Sequence, residues 1–228
     1  MSNSKLVLRS MSTELAKTAT ETAAPPGKRA QAQDRKRRQI LDAAASVFRR
    51  LGYDGASMND VASEAGVSKP TLYVYFQSKE GLFQAIIDDM REAHPELMLG
   101  LDPGHADMAG QMETYAFNVV RLITAPKNMA IIRMVIGATE KFPEVGRRFF
   151  ESGPRKGHAR VETYIAAKVA SGDLAVDDVD LAAWQFIDLI QSPHQRMCLT
   201  GIAPAPSDRE LRRTVKCAVA AFLAAHRP

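Results

Sequence analysis

Ser68, Lys69, Pro70, Thr71 and Tyr73 crowd into the run GVSKPTLYVYFQSKEGLF, residues 66–83. Their types suit recognition of a double helix. A lysine can donate to guanine O6 and N7, and the apolar atoms of proline and threonine can touch a thymine methyl. A tyrosine hydroxyl can donate to a phosphate. Tyr75 lies two residues beyond Tyr73, and Lys79 offers a positive charge where a following helix starts, beside N–H groups that favour an anion. The same pattern also fits two short helices of an ordinary α-protein, with Tyr75 or Leu72 in the core.

For these side chains to act together they must stand on short helices. Ile40, Ala44, Val47, Phe48 and Leu51 repeat at helical spacing from Asp34 onward, and Gly52 follows as a C-cap. Ser57 with Asp60 three residues on reads as a capping box, opening a second helix that starts with Met58 and Asn59 and ends at Gly66. Ser68 caps a third helix with Pro70 in its first turn, where a missing N–H is harmless. Ser78 caps a fourth, residues 79–91. Two short helices joined by Ala65-Gly66-Val67-Ser68 form a helix-turn-helix, in which the second helix enters the major groove and meets base edges with its N-terminal residues.

Charge agrees in part. Eight bases and two acids fall in residues 28–50, whereas residues 51–94 hold three bases and seven acids, so the net charge of +4 is concentrated at the start of the folded region. A phosphate backbone attracts such a cluster, and a solvated helix face also carries one. Residues 1–32, rich in Ser, Thr and Ala with Pro25-Pro26-Gly27, read as a disordered tail. Its apolar patch is too short for a signal peptide, Glu14 and Glu21 disfavour a transit peptide, and Met11 offers an alternative start. No apolar run reaches the length of a membrane span, so no membrane partner is expected. Two cysteines, Cys198 and Cys217, are too few for a disulfide framework and fit a reducing cytoplasm. The five histidines are scattered without metal-ligand spacing, and no phosphate-binding glycine loop or nucleophile elbow is present. No metal, cofactor or catalytic constellation is expected. An enzyme would need a nucleophile, base and oxyanion site that no run of residues supplies.

The words ILDAAASVFRRLGYDGASMNDVASEAGVSKPTLYVYFQSKEGLF, within residues 40–86, resemble the DNA-binding domain of the TetR/AcrR family of bacterial transcriptional regulators. The resemblance implies a homodimer that reads a palindromic double-stranded DNA operator. It places Ser57, Met58 and Asn59 at the second helix start, Ser68, Lys69, Pro70, Thr71, Tyr73 and Tyr75 on or near the recognition helix, and Lys79 on a phosphate. The basic run with Arg35, Lys36 and Arg38 is similar to the arm that some members lay along the backbone or minor groove.

Beyond residue 95 the chain reads as helices only, interrupted at Pro95 and at residues 101–104: a fifth over about 106–123, a sixth over 128–141, a seventh from 144 to 171 with an interruption at 152–154, an eighth over 178–199 and a ninth over 207–226. Pro193 falls inside the eighth and predicts a kink. The expected class is all-α with about nine helices: a tail (1–32), a helix-turn-helix domain (33–80), and a ligand-binding and dimerisation domain (81–228). The words IIRMVIGATEKFPEVGRRFFESGP and ASGDLAVDDVDLAAWQFIDLI are similar to the AefR-like branch of the family. The eighth helix is apolar on more than one face and must be covered on both sides. That predicts a four-helix dimer interface built from Trp184 and Ile187 with Leu211, Val215, Val219 and Phe222. The family implies a small apolar or amphipathic effector. Met112, Met134, Asn118, Arg121, Gln185 and Asp188 are its candidate contacts, each with a plainer reading as core filler, bonded polar group or exposed residue. Repression relieved by this ligand is the expected function; activation, or control by a protein partner, is the alternative.

Overall fold

The structure, a computed structural model, describes residues 28–92 and 101–228. Of the expected tail (1–32), residues 1–27 lie outside the described residues, as do Met11 and the Pro95 interruption, whereas residues 28–32 are helical and correct that expectation. The chain divides into two compact units, Met1–Arg38 and Gln39–Pro228. The described part of the first is helical, with Arg35 and Arg38 exposed and Lys36 half-buried.

Eleven helices are present among the described residues: α1 (Lys28–Gly55), α2 (Met58–Glu64), α3 (Lys69–Tyr75), α4 (Lys79–Glu92), α5 (Met108–Thr124), α6 (Pro126–Thr139), α7 (Pro143–Ser152), α8 (Pro154–Ala170), α9 (Val179–Gln191), α10 (His194–Leu199) and α11 (Asp208–Ala225). The all-α expectation holds. The number exceeds nine because two prolines divide helices instead of bending them. Pro154 opens α8 after Gly153, and Pro193 separates α9 from α10. A proline supplies no N–H to the preceding turn, but its fixed φ suits the first turn of a new helix.

The second unit has two cores. One lies beneath the helix-turn-helix and joins Ile40, Val47, Phe48, Leu72, Phe83 and Ile87 to Ile131, Val135, Ala138 and Val145 of α6 and α7. The other joins α5, α8, α9 and α11 around Met112, Tyr164, Phe186, Leu211 and Phe222. Residues 39–228 pack as one unit because α6 and α7 supply part of the core on which the recognition helix rests.

Gly52 ends the regular part of α1 with φ 72° and ψ 168°, a conformation open essentially to glycine alone. A Cβ there would meet nothing within 4 Å, so the constraint is the backbone itself and not space. Gly52→Ala is expected to destabilise the protein by about 1–3 kcal/mol, read as a lower urea midpoint at unchanged slope. A neutral result would mean that the turn relaxes freely.

Candidate nucleic-acid interface

The recognition element is assembled by short-range bonds. Ser57 Oγ accepts from Asp60 N at 3.2 Å, and Asp60 Oδ2 accepts from Ser57 N at 2.9 Å and from its hydroxyl at 2.6 Å. The Ser57 hydroxyl is the main cause holding the Asp60 carboxyl below its ordinary range. Gly66 takes φ 59° at the turn, and Val67 N reaches back to Ala62 O at 3.0 Å. Ser68 caps α3: its Oγ accepts from Thr71 N at 3.3 Å and lies 2.7 Å from Thr71 Oγ1. Gln39 Nε2 donates to Ala65 O at 2.7 Å, and Arg50 bridges to Glu64 at 3.1 Å, so α1 grips the C-terminal end of α2 with two side chains.

Leu72, fully buried, anchors α3 to the core, with Phe76 just past its end. Ser57, Asn59, Ser68, Lys69, Pro70 and Tyr73 are exposed. Met58 and Tyr75 are half-buried and pack against the core, and Thr71 is half-buried with its hydroxyl on Ser68. Val74, absent from the expected set, is 82% exposed, the most exposed large apolar side chain among the described residues. Its spacing from Leu72, about 200° around the helix, was the signal that it faces outward.

Lys79 does not extend into solvent. Its Nζ donates to Tyr53 O at 2.8 Å and to Ala56 O at 3.2 Å, and lies 4.5 Å from the Tyr53 ring centre and 5.7 Å from that of Phe142. The ammonium caps the carbonyl end of α1, a use of Lys79 that the sequence reading did not include. Burial first, then Glu80, raises the Tyr53 phenol. The Tyr53 and Phe142 rings meet edge to face at 5.3 Å, and Lys141 pairs with Asp54 at 2.6 Å. The foot of the helix-turn-helix is thereby joined to the turn between α6 and α7.

The six expected effector contacts do not converge. Met112 lies in the core of α5, α8, α9 and α11, whereas Met134 packs on the core beneath the helix-turn-helix. Asn118 is half-buried, Arg121 is exposed and pairs with Asp208 at 3.8 Å, and Gln185 and Asp188 face outward. The interface set is also corrected. Leu211, Val215, Val219 and Phe222 are at most 3% exposed, inside the chain's own core, with the Phe222 ring 5.1 Å from Phe186. Ile187 is half-buried, and Trp184 stacks on His158 at 4.1 Å and on Phe150 at 5.9 Å. The outward side of α9 and α11 instead shows Leu181, Gln185, Leu189, Cys217 and Ala221. An open groove of about 620 Å³ runs there between Leu189, Pro193, His194, Arg213 and Cys217. Both thiols are free, Cys198 buried and Cys217 exposed.

Two further features escaped sequence reasoning. The Tyr164 hydroxyl is the one buried side-chain polar atom without a partner among the described residues, and the side chain is 1% exposed. Its phenol is pushed up to about 12, by burial first and then by Asp173, Asp102 and Asp107, so it remains a donor. The second is His158, Glu162 and Asp180, whose ligand atoms lie within 4.8 Å of one another. His158 Nδ1 faces Glu162 at 3.7 Å and Nε2 faces Asp180 at 3.4 Å, so the ring nitrogens are divided between two acids. One ion cannot use both nitrogens of the ring.

A short capped helix, held by its neighbour across a glycine turn and turning lysine, proline and tyrosine outward, defines a DNA-binding transcriptional regulator of the helix-turn-helix class. The family model for bacterial regulatory proteins of the tetR family matches residues 40–86, and that for the AefR-like transcriptional repressor, C-terminal domain, matches residues 110–228. The chain belongs to the TetR family. It is 28% identical over 137 residues to the A-factor receptor protein of Streptomyces griseus, covering 58% of this chain and 50% of that protein. It is 47% identical over 55 residues to the transcriptional activator FasR of Mycolicibacterium smegmatis, covering 24% of this chain and 25% of that one. The chain thus spans half or less of the length of these curated relatives. Among solved structures, the flavonoid-responsive regulator FrrA is similar at a TM-score of 0.70 and 28% identity, over 86% of this chain and 98% of that one. A TetR family regulator from Pseudomonas syringae pv. tomato is similar at 0.68 and 27%, over 85% and 97%. No helix among the described residues is long and apolar enough to cross a membrane.

Proposed function

We propose that the protein is a homodimeric repressor that binds a palindromic operator through α3 and is released by a small apolar or amphipathic ligand held in residues 81–228. The observation that carries this reading is the outward face of α3, where Lys69, Pro70 and Tyr73 are exposed while Leu72 is locked in the core. The match to an AefR-like repressor domain supports repression. The likeness to the activator FasR covers only 55 residues and bears on DNA binding alone. Leu181, Leu189 and Ala221 on the outward side of α9 and α11 form the dimer surface in this reading. The two recognition helices then meet grooves about 34–36 Å apart, or a multiple of that. The ligand acts by binding better to a state in which that spacing is lost. Its effect reaches α3 through α4 and through the Lys141–Phe142 turn.

The experiment is fluorescence anisotropy of the protein with its own upstream intergenic DNA against a scrambled duplex of equal length at near-physiological salt. Preference by about a thousandfold is expected for an operator reader. Equal weak binding to both would remove that operator.

Tyr164 is the proposed polar contact for the effector. A buried hydroxyl left unpaired costs about 1–3 kcal/mol, so Tyr164→Phe is expected to stabilise the ligand-free protein by about 1 kcal/mol. The same variant should weaken release of DNA by an effector. Destabilisation in a urea titration would show that the hydroxyl already has a partner in solution.

A further inference from the structure

We infer that Val74 is a specificity-determining residue that reads the C5-methyl group of a thymine in the major groove of each operator half-site. The inference rests on the DNA-binding reading above and sharpens it.

Val74 is β-branched and apolar, and its 82% exposure exceeds that of Ile202, Ile136 and Leu181. It lies in the last turn of a seven-residue helix, where folding makes no demand for valine: Leu72, Tyr75 and Phe76 already supply the core contacts of this segment. Val74 stands four residues after Pro70, so the two side chains share one face about 6 Å apart along the axis. Both are exposed. The result is an apolar strip, flanked by the exposed polar side chains of Lys69, Tyr73 and Gln77.

An unpartnered apolar strip beside one exposed lysine, on a helix that carries no acid, admits few occupants. A protein groove would favour a wider stripe, and the neighbouring lysine and tyrosine would then lie at its centre. The major groove accepts an α-helix and offers one apolar group on its floor, the thymine methyl. Lys69 supplies the charge complementarity to the phosphates or to a guanine beside it. Their separation of about 6 Å is nearly two base-pair steps of about 3.4 Å, so Pro70 and Val74 address base pairs about two apart. Val74 has the freer isopropyl group, since the Pro70 ring is fixed at the helix start.

The test removes single methyl groups from the DNA. The full chain is used to select binding sites from a pool of random duplexes. Each thymine of the enriched half-site is then replaced by uracil, one position at a time and in both half-sites together. Wild-type protein is expected to lose roughly fourfold in affinity per half-site at one thymine, and roughly fifteenfold when both half-sites are changed, the scale of burying one methyl group. Val74→Ala should bind thymine and uracil duplexes equally at that position, while uracil elsewhere has the same effect on both proteins. A uracil penalty that persists undiminished in Val74→Ala would overturn the assignment, and so would a selected site in which no uracil is penalised. If no motif is enriched at all, the operator reading itself fails, a result distinct from a motif whose methyls are ignored. Val74 is exposed, so the variant retains the fold; its circular dichroism and melting curve check this.

Discussion

Lys79→Met is expected to lower stability by about 2–4 kcal/mol while leaving the salt dependence of DNA binding unchanged. The methionine keeps the apolar stem and removes the ammonium. Two carbonyls, Tyr53 O and Ala56 O, then lose a charged donor at 2.8 and 3.2 Å. Hydrogen bonds from charged groups contribute about 1.5–3 kcal/mol each, with context reducing the sum, and the contact over the Tyr53 ring adds about 0.5–2 kcal/mol. The foot of α1 and the start of α2 should loosen together, and operator affinity should fall with them. A lysine gripping a phosphate behaves differently: its loss reduces the slope of log K against log salt by about 0.9 for each protomer. Urea unfolding and anisotropy at four salt concentrations separate the two. A shallower slope at unchanged stability would restore the phosphate contact.

Phe222→Ala should cost about 3–5 kcal/mol, the usual price of emptying an aromatic site in a core. The ring is 3% exposed, packs against Phe186 at 5.1 Å and has His226 at 4.6 Å on its other side. The loss belongs to the fold of each chain and should appear as a lower unfolding midpoint at every protein concentration. Ala221→Arg, one residue away on the exposed side, is the contrast. It should leave the unfolding of the chain nearly unchanged and shift sedimentation toward monomer, because it places a charge on the proposed dimer surface. If Phe222→Ala dissociated the dimer at unchanged chain stability, the inward placement of this stripe would be wrong.

The helix-turn-helix was legible because its instructions are local. Ser57 with Asp60, Gly66 at positive φ, and Ser68 ahead of Pro70 act within a few residues, and each took its expected place. The division of the predicted seventh and eighth helices was half legible. Pro154 and Pro193 marked the positions, but a kink and a break differ in whether the next turn finds packing of its own. Val74 was legible in principle, since its angular distance from Leu72 places it outward, yet an apolar residue type draws attention to the core.

The all-α class, the order of the first helices and the exposed serine, lysine and proline of α3 were determined by the sequence alone. Capping bonds and helical periodicity span only a few residues, so the chain carries them explicitly. The tertiary structure decided the rest. It turned the Lys79 ammonium onto carbonyls 23 and 26 residues away, a choice made by whichever acceptors the fold brings near a long flexible side chain. It also turned the stripe of Leu211, Val215, Val219 and Phe222 into the chain's own core and left Leu181, Leu189 and Ala221 outside. Periodicity reports that a helix has an apolar face to bury. Whether that face meets its own subunit or another depends on which helices arrive beside it, and contacts between distant segments decide that.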